Sequence, residues 1–105
     1  MIEDKNKLNS QFPDVAENLE ILAEECGEVI VAKSKVLRFG SQSKWNSPTN
    51  QRLLGLEVGD LMAMIQILMD NGFLRQSDVE DGIARKLEKL SKFYKVDKLT
   101  GPHGI

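Results

Sequence analysis

The chain has 105 residues, of which 41% are hydrophobic and only 6% aromatic, and its 14 basic and 16 acidic residues leave a net charge of −2. That length holds one small domain with a thin core, so burial between copies is an expected source of stability, and the near-balanced charge argues against a duplex nucleic-acid binder. A single cysteine, Cys26, excludes an intramolecular disulfide framework, and apolar residues drawn mainly from Leu, Ile, Val, Met and Ala favour helices over a β-sandwich.

Residues 1–13 read as a mostly polar N-terminal extension without a basic-then-apolar leader, which places the protein in the cytoplasm. A first helix is predicted from Asp14 to Phe39. Pro13 is compatible only with its entrance, Asp14 can cap it, and Gly40 stops it. Val15, Leu19, Leu22, Ala23, Cys26, Val29, Ile30 and Val36 or Leu37 recur at three- and four-residue spacing, so Cys26 is expected to face the core. Ser41, Ser43, Asn46, Ser47 and Pro48 make residues 40–49 a loop, which carries the sole tryptophan, Trp45. A second helix is predicted from Thr49 to Asn71, closed by Gly72. Its latter half, Leu61 to Met69, is apolar nearly all round, and in so small a protein it needs neighbours on several sides, pointing to a dimer or a higher assembly. The same run is far too short to span a bilayer. A third helix opens with Ser77-Asp78-Val79-Glu80, read as a capping box, and runs to Tyr94. A tail with Gly101, Pro102 and Gly104 occupies residues 95–105. The expectation is an all-α fold with three main helices over residues 14–94, forming a bundle completed by oligomerisation.

Inside the first two helices sit two groups of carboxylates. Glu24, Glu25 and Glu28 fall within a sector of about 100°, because an α-helix turns about 100° per residue. Glu57 and Asp60 are an i, i+3 pair on one face. Packed together, the two faces gather four or five negative charges, which repel and raise one another's pKa unless cations lie between them. Donors restricted to Glu and Asp favour a hard cation, Mg²⁺ or Mn²⁺, over zinc. Either group alone is common on a solvated helix face; their joint occurrence within apolar helices points to a metal site. Gly27 and Gly59 lie within the same turns, at a cost of roughly 1 kcal/mol each. Close helix approach at the site and crowded packing are equal explanations.

Along the first helix one stripe reads Asn18, Ile21, Glu25, Glu28, Ala32, Lys35, with Glu24, Val31 and Arg38 beside it. On the second, Asn50, Leu53 or Leu54, Glu57, Asp60 and Met64 form a comparable one. From Asp14 to Glu28 every charge is negative; Lys33, Lys35, Arg38 and Lys44 then form a positive run, and Arg85, Lys86, Lys89, Lys92, Lys95 and Lys98 a second basic group. A nucleotide fits this order. Its base would lie against amide and apolar groups (Asn18, Ile21, Trp45, Asn50, Met64), its phosphates on the metals, and Lys35 and Arg38 at the phosphate end. Trp45 reads equally as a loop anchor, and Met62, Met64 and Met69 as core filler.

The pattern Glu24-Glu25-Cys26-Gly27-Glu28 followed after twenty-eight residues by Glu57-Val58-Gly59-Asp60 resembles the paired EExxE and ExxD signature of MazG-like nucleoside triphosphate pyrophosphohydrolases. The likeness covers roughly residues 15–94, and Ser34-Lys35-Val36-Leu37-Arg38-Phe39-Gly40 with Thr49-Asn50 is most similar to short single-domain members, often phage-encoded, which would work in the host cytoplasm. The resemblance implies an all-α homodimer or homotetramer, dependent on Mg²⁺, that cleaves (d)NTPs between the α and β phosphates. It implies Glu25, Glu28, Glu57 and Asp60 as metal ligands, Glu24 as either a group supporting those ligands from behind or the base that orients the attacking water, and Lys86 or Lys89 as a phosphate contact. Leu56 stands where that family often has an acidic residue. Two other readings stay open on the residues alone: a helical module that binds nucleotide or metal without turnover, and a purely structural bundle.

Overall fold

The computed structural model describes residues 4–43 and 48–93. Among them every regular element is helical: α1 (Lys5–Gln11), α2 (Val15–Phe39), α3 (Asn50–Asp70) and α4 (Gln76–Ser91). The chain divides into two compact units, Met1–Phe73 with the first three helices and Leu74–Ile105 with α4, so the boundary falls inside the span read from the sequence as one domain. No helix among the described residues is long and apolar enough to cross a membrane.

In the first unit α2 and α3 form an antiparallel hairpin. Its closed end is tied by Asn50, whose buried amide donates to the carbonyls of Lys35 (3.4 Å) and Gly40 (3.1 Å). The backbone N–H groups of Asn50 and Gln51 reach Ser43 O and Ser41 O, and Thr49 Oγ1 accepts from Arg52 N, capping α3. Gly40 at φ 94° and Gly72 at φ 87° end α2 and α3 in a conformation that only glycine adopts without strain. Where the two helices meet, Ala32, Met64 and Leu68 are buried, with Val15 and Ala16 at the open end. Because the helices run antiparallel, Ala32 lies toward the closed end of the contact and Met64 and Leu68 toward the open end.

Several local expectations need correction. The extension contains a short helix, α1, started by Asp4, whose carboxylate accepts from Asn6 N at 2.8 Å. Its Phe12 meets Phe73 edge-on, ring centroids 5.3 Å apart, across the open end of the hairpin. Lys5 pairs with Glu20 at 2.9 Å. Asp14 precedes α2 but does not cap it: the sharp turn from α1 puts it in the left-handed region (φ 60°), where its side chain makes no capping bond. Asn9 does that work from α1, its Oδ1 accepting from Ala16 N at 2.9 Å while its Nδ2 bonds the Glu17 carboxylate. In the second unit, α4 begins two residues earlier than the capping-box reading requires, with Arg75 at the N-cap and no side-chain cap. Ser77 therefore lies inside the first turn, where Asp78 faces the helix dipole favourably. Tyr94 and the tail 95–105 lie outside the described residues.

Three packing expectations also change. Cys26 is exposed. Met62 is 62% exposed and fills no core, whereas Met64 does. A Cβ added at Gly27 or Gly59 would meet nothing within 4 Å, so neither close helix approach nor crowding within the chain explains those glycines.

Candidate metal centre

At 100° per residue, the buried positions fix which way each helix faces its neighbour. On α2 the positions toward α3 are Leu22, Val29, Ala32 and Val36; on α3 they are Asn50, Leu61, Met64 and Leu68. Because the helices are antiparallel, Glu25 and Glu57 both lean to the same edge of that contact, and Asp60 stands just outside it. Glu25 and Glu57 are half-buried and Asp60 exposed. Each offers a carboxylate oxygen such that all three lie within 4.8 Å of one another.

The electrostatic cost is visible at Glu25. Its carboxyl is held above the ordinary glutamate value of 4.5, first by partial desolvation against the helix contact and then by the charges of Asp60, Glu57, Glu28 and Glu24. Ordinarily two packed helices would place a cation among such groups, but the nearest basic positions on α2, Lys33 and Lys35, lie two turns or more from Glu25 along the axis. In an octahedral Mg²⁺ shell, ligand oxygens are separated by about 3.0 Å when adjacent and about 4.2 Å when opposite, given bonds of about 2.1 Å. The 4.8 Å spread of the three oxygens is slightly wider than such a shell, and Asp60 is exposed. An all-oxygen donor set with free positions suits a hard divalent cation.

The other sequence-predicted residues separate into groups. Glu24 and Glu28 are exposed and stand outside the trio, acting on Glu25 through their charge. Ile21, 39% exposed, lies one turn before Glu25 on the carboxylate side. Lys35 is exposed on that side too, about 10 Å beyond Glu28 along the axis. Buried Ala32 interrupts the stripe between the carboxylates and Lys35, because that position turns into the helix contact. Arg38 lies over the ring of Phe39, its guanidinium carbon 5.3 Å from the centroid. Asn18 is half-buried toward α3, Met64 is 8% exposed within the core, and Asn50 spends its amide on the closed end of the hairpin. Asn50 and Met64 are therefore part of the scaffold. Lys86 and Lys89 are exposed on α4, in the second unit. Trp45 lies outside the described residues.

Sequence reasoning passed over one concavity, about 470 Å³, lined by Thr49, Gln51, Arg52, Gly55 and Leu56 on the first turns of α3. It contains none of the carboxylates, and the only signal for it was the Gly55 gap on that face.

No protein-family model, no curated protein and no solved structure matches this chain.

Proposed function

We propose that the protein is a Mg²⁺-dependent nucleoside triphosphate pyrophosphohydrolase, with Mn²⁺ able to substitute, that cleaves a (d)NTP between the α and β phosphates to give (d)NMP and pyrophosphate. The observation that supports this reading is the meeting of Glu25, Glu57 and Asp60, with one oxygen of each within 4.8 Å of the others, at the open edge of a hairpin. Dependence on dNTP-pool or damaged-nucleotide chemistry in the cytoplasm, and assembly as a homodimer or homotetramer, belong to the same reading.

Glu25, Glu57 and Asp60 would hold the cation and, through it, orient the phosphates. A bound Mg²⁺ would supply charge neutralisation and Lewis acidity at the phosphates and acidify a coordinated water. Glu24, exposed on the same turn, would accept the proton of the attacking water. Glu28 keeps the local field negative and so favours cation binding. Lys35, beyond Glu28, would counter the charge that develops on the departing pyrophosphate, and Ile21 would offer an apolar contact to the nucleoside.

The test is pyrophosphate release from a panel of ordinary and modified dNTPs, with Mg²⁺ and with Mn²⁺. Release is expected from at least one of them, and Glu57→Gln or Asp60→Asn should abolish it with the helical circular dichroism unchanged. Orthophosphate as the sole product, or activity that survives both substitutions, defeats the assignment. Because Glu28 stands outside the oxygen trio, a module that binds nucleotide without turnover is the second reading; tight nucleotide binding with no product after long incubation would favour it.

A further inference from the structure

α3 ends on the one asparagine of the chain that is followed by glycine, Asn71-Gly72. That pair carries a reaction of its own. The glycine's backbone nitrogen, once it loses its proton, attacks the side-chain carbonyl carbon Cγ of the asparagine. The Cγ–Nδ2 bond breaks, ammonia leaves, and a five-membered succinimide remains. Water then opens the ring at either carbonyl, giving aspartate or isoaspartate, so the net exchange is one water taken up for one ammonia released. Glycine favours the attack because no side chain shields its nitrogen and its backbone turns freely.

In the folded chain the reaction is held back at several points. Asn71 has ψ 0°, which eclipses the Gly72 nitrogen with the backbone nitrogen of Asn71. Ring closure needs it eclipsed with Cβ instead, so the Cα–C bond must first turn. The Gly72 N–H donates to Met69 O at 3.0 Å, which retains the proton that has to leave. The side chain is pinned at both ends: Oδ1 accepts from Phe73 N at 3.0 Å, and Nδ2 donates to Pro13 O at 3.5 Å. Turning the bond would carry Gly72 and Phe73 with it. Phe73 is set edge-on against Phe12, and Gly72 backs on the same ring, a Cβ there falling 3.9 Å from Phe12 Cε1.

We propose that Asn71 is a site of spontaneous deamidation, and that the contact between the α1 end and the open end of the hairpin is its brake. Each opening of that contact exposes the pair to reaction, and the product cannot restore what was opened. Aspartate lacks the donor for Pro13 O, and it sets a second carboxylate beside Asp70 at the negative end of the α3 dipole. Isoaspartate also moves Cβ into the main chain, lengthening by one atom the turn that places Phe73. Deamidation therefore converts a transient opening into a lasting one. The inference is independent of the proposed reaction.

Mass spectrometry of tryptic peptides from the full chain, aged at mildly alkaline pH, tests it. The peptide 53–75 contains Asn71 as its only asparagine, and fragment sequencing separates an amide-to-acid exchange there from one at Gln66. Conversion of Asn71 is expected at least about tenfold faster in urea-unfolded chain than in folded chain, because only the open fraction of the folded chain reacts. Phe12→Ala removes the ring contact, and Asn9→Ala removes the bond that ties α1 to the Ala16 N–H. Each should speed conversion in the folded chain severalfold while circular dichroism stays helical. The product, which gains a negative charge and separates on an anion exchanger, should melt below the unreacted chain. Equal rates in folded and unfolded wild type overturn the proposal, as does an Asn71 that stays intact in the unfolded chain; both measurements use unaltered protein and decide the matter should the variants misfold. Rates unchanged in both folded variants, or a product that melts with the unreacted chain, also overturn it.

Discussion

Gly27 and Gly59 sit in the interiors of α2 and α3, each within a turn of the carboxylates. A glycine there loses more backbone freedom on folding than alanine would, at a cost of about 0.5–1 kcal/mol. Such a cost is often offset by a neighbouring helix that only a hydrogen side chain admits. Here an added Cβ meets nothing within 4 Å at either position, so the offset is missing. Gly27→Ala and Gly59→Ala should each therefore raise stability by about 0.5–1 kcal/mol, and the pair by roughly 1–2 kcal/mol, since they lie on different helices and share no contact. For a chain of this size 1 kcal/mol corresponds to about 4–8 °C in Tm, so each single variant should melt about 2–8 °C higher. Urea unfolding followed by circular dichroism is the sharper assay: the midpoint should rise with the slope unchanged. A fall in stability for either variant would refute the reasoning, because it would mean that atoms from outside the chain come within contact of that Cβ.

Asn50→Ala should lower stability by about 1–3 kcal/mol, because it removes both side-chain bonds to the Lys35 and Gly40 carbonyls at a partly buried helix end; chemical denaturation measures it, and a neutral result would show that water replaces the amide. Glu25 makes stability depend on pH in a defined direction. Its folded-state pKa is raised above the ordinary 4.5, so between those two values the folded chain binds the proton more tightly than the unfolded chain does. Metal-free protein should gain stability as pH falls through the raised pKa and gain no more below about 4.5. The melting temperature of Glu25→Gln, compared with wild type from neutral pH to about pH 4, isolates that gain, and parallel curves would contradict it.

The helices that carry the site were readable because two independent signals agreed on each. Apolar spacing fixed the period, and Gly40 and Gly72 supplied stops that the backbone uses at positive φ. The ends without such agreement were misread. Asp14 has the chemistry of a cap, but the turn out of α1 rotates it away, and a cap supplied by Asn9 from another helix leaves no local sequence mark. α1 itself is seven residues of mostly polar chain, below the length at which periodicity speaks. Within the site, Glu57 and Asp60 share one face of α3 in sequence arithmetic, and the structure brings Glu25 of α2 to them. The base contacts were harder. Asn50 and Met64 lie on the intended stripe yet are buried, and a single-helix projection does not show which members of a stripe the neighbouring helix covers. Cys26 and Ile30 were assigned to the core for the converse reason: a helix with two apolar faces gives one periodic signal for both.

Those two faces explain how the hairpin tolerates its carboxylates. Glu25, Glu57 and Asp60 repel one another at the edge of the same contact that holds α2 to α3, so left to themselves they would pry it open. What opposes them is on the line between the helices: buried Ala32 toward the closed end, buried Met64 and Leu68 toward the open end, and the Asn50 amide clamping the closed end. The repulsion acts on an edge that solvent and a cation can reach, while the apolar contact excludes both. A divalent cation at that edge would turn the repulsion into a third tie between the helices, and by linkage would stabilise the fold by the free energy of its own binding. Removing one carboxylate should for that reason have opposite effects with and without metal: relief of strain in the free chain, and loss of the tie in the loaded one. A structural bundle with merely solvated acids would show neither the loss nor its dependence on Mg²⁺ concentration.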